Sequence, residues 1–267
     1  MVKPIVKYMG GKSRELPLIK ELLPQNFQRV IEPFCGGAAV SFFLGSPSIL
    51  NDIHKDLINL YSVVANENLY PNLQQEVNYT KTLEHDELEK KFYEARDVIN
   101  QSWIGDNDYQ RALSYIIVRQ LCFSGMERYN SKGEFNVPFG HYKKFSCNLS
   151  PNHHKFLKEN CEIKLGSFVN VFSQLNENDF VFIDPPYLER LGYSQGDGGL
   201  SLHQSLLSCL KVTNAKWMLI HSDNEFYRDS YKDFSIIEKD FAYAQRFGKN
   251  KNHSGAKVQH LYITNYL

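Results

Sequence analysis

The strongest limit on how this chain can fold is a pattern: short apolar runs alternate with helical stretches at both ends, and the pattern breaks in the middle. Arg29-Val30-Ile31-Glu32-Pro33 and Ser48-Ile49-Leu50-Asn51 read as short buried strands. Helical stretches surround them at 12–23, 38–44 and about 54–66. In the second half, strands are expected at 161–165, 179–183, 215–221, 234–240 and 259–265, with helices at 168–175, 201–211 and 224–231. The middle holds two further helical stretches, 84–101 and 108–122. After them, 123–150 is rich in Gly, Asn, Ser and aromatics and reads as loops with a hairpin. Strand–helix alternation builds a sheet covered by helices, so an α/β domain with an inserted module is expected. Residues 1–55 and 146–267 fall in the sheet domain and 56–145 in the insertion.

Several classes are disfavoured. No run of about 18 apolar residues is present to span a bilayer, and the start, Met1 to Ile5, lacks the apolar core of a secretory signal. The five cysteines are an odd count and form no Cys-x-x-Cys pair. That disfavours a disulfide framework and a zinc site and suggests a reducing cytoplasm. His153, His154 and His221 lack metal-ligand spacing, so no metal is expected. Net charge is zero, but the bases cluster: Lys7, Lys12 and Arg14; Arg128, Lys132, Lys143 and Lys144; Arg246, Lys249, Lys251 and Lys257. Placement, more than total charge, decides whether a protein meets nucleic acid.

Two constellations carry chemistry. In the first, Ile31-Glu32-Pro33-Phe34-Cys35-Gly36-Gly37 runs from a strand through a glycine turn into a helix. Glycine lets a ligand approach the backbone, and a helix start offers free N–H groups. Asp52 ends the next strand, where an acid can bind both hydroxyls of a ribose. The Gly-x-Gly-x-x-Gly spacing of dinucleotide folds is absent, since Ala38-Ala39 follow the glycines. A nucleoside-bearing ligand such as S-adenosylmethionine is favoured over a nicotinamide cofactor.

The second constellation is Asp184-Pro185-Pro186-Tyr187, delivered by the apolar run Asp179–Ile183. The two prolines stiffen the loop and remove two donors. The Asp184 carboxylate and the Pro185 carbonyl can accept both N–H bonds of an amino group whose lone pair is delocalised. Those hydrogens become more acidic as the nitrogen attacks, so the acceptors favour the transition state. Tyr187 can stack on a base removed from its duplex.

In order and spacing these residues resemble the Dam-type, alpha-class family of DNA adenine N6-methyltransferases. Lys7-Tyr8-Met9-Gly10-Gly11-Lys12 resembles the family's opening motif, and Glu32–Gly37 its methyl-donor motif. Asp52 resembles its ribose acid, and Asp184–Tyr187 its catalytic motif. The resemblance implies a Rossmann-like S-adenosylmethionine-dependent methyltransferase sheet with an inserted helical and β-hairpin DNA-recognition domain. It implies that Tyr8, Lys12, Glu32, Phe34, Cys35, Gly36, Gly37, Asp52 and Asp184 hold the donor. It also implies double-stranded DNA as partner, a monomer, no thiol nucleophile, and a restriction endonuclease that can accompany the enzyme.

The segment Arg128–Gly140 is similar to the family's recognition hairpin. Arg128 suits a bidentate contact to guanine, and Met126 and Pro138 suit a thymine methyl. Phe123 is the candidate wedge where a base pair opens. Tyr142, Lys143 and Lys144 suit phosphates, with Lys7 and Asn136 as further DNA contacts. GATC is the expected target. Ser124 stands where a common family variant has asparagine, and His141 where it has arginine, so the exact target stays open. Gly-rich 188–199 is expected to close over the flipped base, and Lys249 and Lys251 to clamp phosphates. The rival readings are an RNA adenine or protein glutamine methyltransferase, a catalytically inactive DNA-binding protein on this scaffold, and, more weakly, a nicotinamide-dependent oxidoreductase.

Overall fold

The computed structural model describes residues 2–103, 105, 107–188 and 199–242 with 257–267, giving backbone only for 242 and 257. A seven-stranded sheet organises it, in the order β3-β2-β1-β4-β5-β7-β6. The strands are β1 (Arg29–Glu32), β2 (Ser48–Asp52), β3 (Cys161–Leu165), β4 (Asp179–Ile183), β5 (Lys216–Ser222), β6 (Ser235–Ala242) and β7 (Lys257–Thr264). The first five are parallel, and β7 lies antiparallel between β5 and β6. This is the α/β sheet that the alternating sequence predicts, in the Rossmann-like form that the family resemblance implies.

Every residue of β4 is buried, as are all of β5 except Lys216, which explains why these strands are continuous apolar runs without alternation. From β1 the chain goes outward to β2 and β3, then returns to β4 on the other side of β1. The crevice of such a sheet opens where the strand order reverses, beyond the carboxyl ends of β1 and β4. Glu32 and Asp184 leave the sheet at those two ends.

The helices are α1 (Leu16–Glu21), α2 (Ala39–Leu44), α3 (Lys55–Ala65), α4 (Tyr70–Thr80), α5 (His85–Ile99), α6 (Tyr109–Leu121), α7 (Pro151–Asn160), α8 (Val169–Phe172), α9 (Leu200–Val212) and α10 (Glu225–Ser230). Three differ from the expectation. The stretch 12–23 is a 3₁₀ turn, Lys12–Arg14, followed by α1. Helix α4 reads poorly because Asn and Gln fill its outer face, although Tyr70, Leu73, Val77 and Thr80 repeat at helical spacing on the buried side. Helix α7 begins at Pro151, which reads as a breaker but suits a first helical turn.

One apolar cluster runs from Ile5, Phe42 and Leu50 beside the sheet through Leu57 and Leu60 of α3 to Phe92, Ile116, Val137 and Phe139. Arg111 of α6 ties it together: its Nε pairs with Asp56 of α3, and its other nitrogens donate to the carbonyls of Val98, Ile99 and Gln101 at the end of α5. A helix C-terminus leaves carbonyls in want of donors, and a cation there is doubly favourable. Residues 123–150 form few pairings, namely a Cys122–Phe139 bridge and a Tyr129–Phe135 bridge. Their inward residues Phe135, Val137 and Phe139 are buried.

A shared core predicts shared unfolding. Trp103, beside Arg111, and Trp217 in β5 are the two tryptophans of the chain. Single-tryptophan variants, Trp103→Phe and Trp217→Phe, should report one coincident urea transition; separate midpoints would mean that the middle segment unfolds on its own.

Candidate active site

Glycine 10 and Gly11 swing the chain from the first segment into the 3₁₀ turn that begins at Lys12. Lys12 is buried, and its Nζ lies 2.6 Å from Asp184 Oδ2 and 2.9 Å from the Gly10 carbonyl. Burial pushes the Asp184 carboxyl above its ordinary value, and the Lys12 ammonium pulls it back. Asp184 Oδ1 makes no hydrogen bond among the described residues, and the Asp184 side chain is 22% exposed. Pro185 is buried and Pro186 half-buried, so the motif leaves β4 as a stiff arm. The Tyr187 ring packs against His221, with centroids 4.7 Å apart, and lies 5.4 Å from Lys12 Nζ. His221 Nε2 accepts from the Leu188 amide while Nδ1 donates to the Ser222 carbonyl. Burial drives its pKa down to about 3, so the ring stays neutral.

Across the crevice, the β1 turn is held closed by its neighbours. The Cys35 amide donates to the Asn51 carbonyl, and the Tyr61 hydroxyl to the Gly36 carbonyl. Gly36 has φ +43°, and a Cβ there would stand 2.8 Å from Cε1 of Tyr8. A side chain at Gly36 is thus excluded both by conformation and by Tyr8. Asp52 is aimed at the same turn: Oδ2 accepts from the Gly36 amide at 3.0 Å and Oδ1 from the His54 amide at 3.0 Å. Burial raises its pKa and these amides oppose the rise. Glu32 is deeply buried and accepts from the Ser41 amide at 2.8 Å; burial takes its pKa to about 7. Phe34 rests on Phe168, with centroids 5.0 Å apart. Cys35 and Gly37 are buried in the same turn. Tyr8, Lys12, Glu32, Phe34, Cys35, Gly36, Gly37, Asp52 and Asp184 therefore lie together around the ends of β1, β2 and β4.

The recognition segment lies alongside. Phe123 is 48% exposed. Ser124 (φ +54°) and His141 (φ +52°) both adopt left-handed backbone, a region where asparagine is enriched. Pro138, Lys143 and Lys144 are exposed, and Met126, Asn136 and Tyr142 are half-buried. Arg128 Nε donates to Asn136 Oδ1 at 2.7 Å and Nη2 to its carbonyl at 3.2 Å, while Nη1 makes no hydrogen bond among the described residues. Lys7 Nζ donates to the Gln120 carbonyl and lies 4.2 Å from the Tyr142 ring centroid. Lys249 and Lys251, and the loop between Leu188 and Gly199, lie outside the described residues.

Sequence reasoning passed over a buried network that joins the two regions. Arg119 donates to the carbonyls of Lys7, Gly125 and Met126, and its Nη1 lies 3.4 Å from Glu127. Glu127 also accepts from His54 Nε2 at 2.7 Å and from the Tyr129 hydroxyl at 3.0 Å. His54 Nδ1 meanwhile caps α3 by accepting from the Leu57 amide. The only signal in the sequence is an arginine within an otherwise apolar helix stripe. His153 and His154 have structural duties: they bond to the carbonyls of Lys3 and Val64. Among the described residues, no cluster of three or more His, Cys, Asp or Glu could hold a metal ion, and no helix is long and apolar enough to cross a membrane.

A family profile, D12 class N6 adenine-specific DNA methyltransferase, matches residues 8–245. The chain belongs to that family. The methyltransferase is also 32% identical to the type II methyltransferase M.CviBI of Paramecium bursaria Chlorella virus NC1A, over 99% of this chain and 100% of that one. It is 33% identical to the type II methyltransferase M.MjaIII of Methanocaldococcus jannaschii, over 88% of this chain and 90% of that one. It is 31% identical to the DNA adenine methylase of Escherichia coli K12, over 69% of this chain and 65% of that one. Adenine-specific DNA methylation, expected from the ordered motifs, is thus the activity of its family.

The Glu127 network gives a stability test. Burial alone would raise the Glu127 carboxyl, but Arg119 and His54 hold it down at about 2, against 4.5 for an ordinary glutamate. A depressed folded-state pKa contributes stability above the unfolded value and loses it as pH falls toward the folded one. Glu127→Gln should cost about 3 kcal/mol near neutrality by leaving Arg119 without its charge partner. Urea titrations should show the gap to wild type closing as pH drops from about 4.5 toward about 2.

Proposed function

We propose that this methyltransferase transfers a methyl group from S-adenosylmethionine to N6 of an adenine flipped out of duplex DNA, within the sequence GATC. The observation that carries the reading is the juxtaposition of two sites on one crevice. Asp184, gripped by Lys12 at 2.6 Å, stands at the end of β4. The Gly36–Asp52 turn stands at the ends of β1 and β2.

The residues suit the donor. A nucleoside needs a carboxylate for its ribose hydroxyls, an aromatic face and a backbone it can approach. Asp52, the Tyr8 and Phe34 rings, and the turn at Gly36 supply these. S-adenosylmethionine would supply the sulfonium-activated methyl. Buried Glu32, balanced between its two protonation states near neutrality, suits a neighbouring ammonium group.

On the other side, one adenine N–H donates to Asp184 Oδ1 and the second to the Pro185 carbonyl. Both hydrogen bonds would strengthen as the N6–methyl bond forms, the methyl–sulfur bond breaks to leave S-adenosylhomocysteine, and positive charge grows on nitrogen. One N6 proton then leaves, with Asp184 Oδ1 as its acceptor. Lys12 opposes the rise that burial imposes on this carboxyl, which favours the charged acceptor. Tyr187 stacks on the flipped base.

For the duplex, we assign residues 56–145 as the recognition module. The Arg128 guanidinium, splinted by Asn136, reads guanine; Pro138 and Met126 meet the thymine methyl; Phe123 fills the space left by the base. Lys7, Tyr142, Lys143, Lys144, Lys249 and Lys251 hold phosphates, while Ser124 and His141 tune the target. The enzyme acts as a cytoplasmic monomer without a metal, and the type II names of its relatives favour a cognate restriction endonuclease.

The test is incubation with labelled S-adenosylmethionine and duplex DNA, followed by digestion to nucleosides and mapping of modified sites. N6-methyladenine confined to GATC is expected; another motif would move the target, and label in RNA or protein would overturn the substrate. Asp184→Ala should lower kcat by roughly 100- to 1,000-fold with DNA binding retained, and undiminished turnover would remove Asp184 from the chemistry.

A further inference from the structure

Asp184 and Tyr187 bracket the catalytic loop, and one short turn reaches both of them. In the 3₁₀ turn the Glu15 amide donates to the Lys12 carbonyl at 2.9 Å, so the two side chains leave the same turn. Lys12 goes to Asp184. Glu15, also buried, goes to β7, where its Oε2 lies 2.9 Å from His260 Nδ1 and accepts from the Tyr262 hydroxyl. His260 is fully buried, and its Nε2 lies 3.3 Å from the Tyr187 hydroxyl.

Proton positions follow from the acceptor at the far end. Glu15 Oε2 can only accept, so His260 carries a proton on Nδ1, and in the neutral imidazole that leaves Nε2 as an acceptor. The Tyr187 hydroxyl then donates to Nε2. Burial alone would raise the Glu15 carboxyl, but His260 and Lys12 outweigh it and keep it ionised. The carboxylate thereby polarises the imidazole toward a better acceptor, as a chain of hydrogen bonds does in a dry interior.

We propose that Glu15 and His260 are positioning residues that anchor the Tyr187 hydroxyl and so fix the plane in which its ring meets the target base. This rests on the reading of Tyr187 as the stacking platform. A phenol ring on a two-proline arm can still turn about its own side-chain torsions. A bond at its far end, with His221 packed on one side at 4.7 Å, limits that rotation before the base arrives. Preorganisation of this kind lowers the activation barrier and leaves ground-state affinity largely unchanged. Because the same turn sets Lys12 on Asp184, the acceptor of the amine and the platform for its ring share one rigid support.

The experiment is a double-mutant cycle read in kcat, in the dissociation constants for DNA and donor, and in the fluorescence of 2-aminopurine at the target position. Tyr187→Phe, Glu15→Gln and His260→Gln should each lower kcat about three- to tenfold, the worth of one hydrogen bond, with both dissociation constants changed less than about twofold. The doubles Tyr187→Phe/Glu15→Gln and Tyr187→Phe/His260→Gln should be no slower than the slower single, because each removes the same tether. Multiplying losses, or losses confined to binding or to the melting temperature, would overturn the positioning role. Glu15→Gln, nearly isosteric, keeps the cycle readable if His260→Gln does not fold. Tyr187→Ala separates the two layers. If it abolishes the 2-aminopurine response while the doubles multiply, stacking stands and positioning falls; if it leaves response and turnover intact, the stacking reading itself has failed.

Discussion

The contact between Lys12 and Asp184 joins residues 172 positions apart, and much of the site depends on it. A carboxylate at the end of a fully buried strand loses most of its solvation and would take up a proton. As a neutral acid it would offer one of its oxygens as a donor and accept poorly from an amine. A buried ammonium at 2.6 Å opposes that shift while occupying only one carboxylate oxygen. The arrangement also dictates topology: the chain's first segment must cross the mouth of the sheet, between β1 and β4, before the sheet has begun. The Gly10-Gly11 pair lets it turn there, and Tyr8 is left lying on Gly36.

Buried ion pairs are costly to assemble, and truncating one partner exposes that cost. Here two buried polar networks adjoin the site, one built on Glu15 and one on Glu127. Glu15, His260 and Tyr262 lie beneath the catalytic loop. Glu127, Arg119 and His54 lie between the donor turn and the recognition segment. Apolar residues would pack more cheaply in either place. What the polar groups add is direction: Arg119 can satisfy the carbonyls of Lys7, Gly125 and Met126 only when those segments hold one relative placement. Rigid orientation of this sort is what an in-line transfer between two bound molecules needs.

Much of this was legible before any coordinates. The strands at 161–165 and 179–183 match the expectation residue for residue, and β1, β2, α5, α6 and α9 match within one or two positions. In β4 burial on both faces makes every position after Asp179 apolar, so that signal is strong. Helix α4 was obscured because Gln74, Gln75 and Asn78 carry little periodic contrast, and α7 because proline is ambiguous at a helix start. The cradle residues could be named because glycine and a strand-terminal acid have backbone reasons to stand where they do. Glu15, Glu127 and His260 could not. A buried polar residue looks like any surface polar residue until its partner is known, and these partners are far away in sequence: 245 positions from Glu15 to His260 and 73 from His54 to Glu127.

The sequence by itself determined the alternation that builds a Rossmann-like sheet, the glycine turn, the acid after β2 and the stiff Asp184–Tyr187 arm. Each follows from local causes: burial periodicity, permitted backbone angles and the missing amide of proline. Only the tertiary structure decided which oxygen of Asp184 is occupied, how Arg128 is splinted by Asn136, and that one short turn serves both ends of the catalytic loop. Those outcomes depend on which distant side chains share a dry interior. There, the strength of an interaction and the protonation of its members are set jointly by partners that no local pattern encodes.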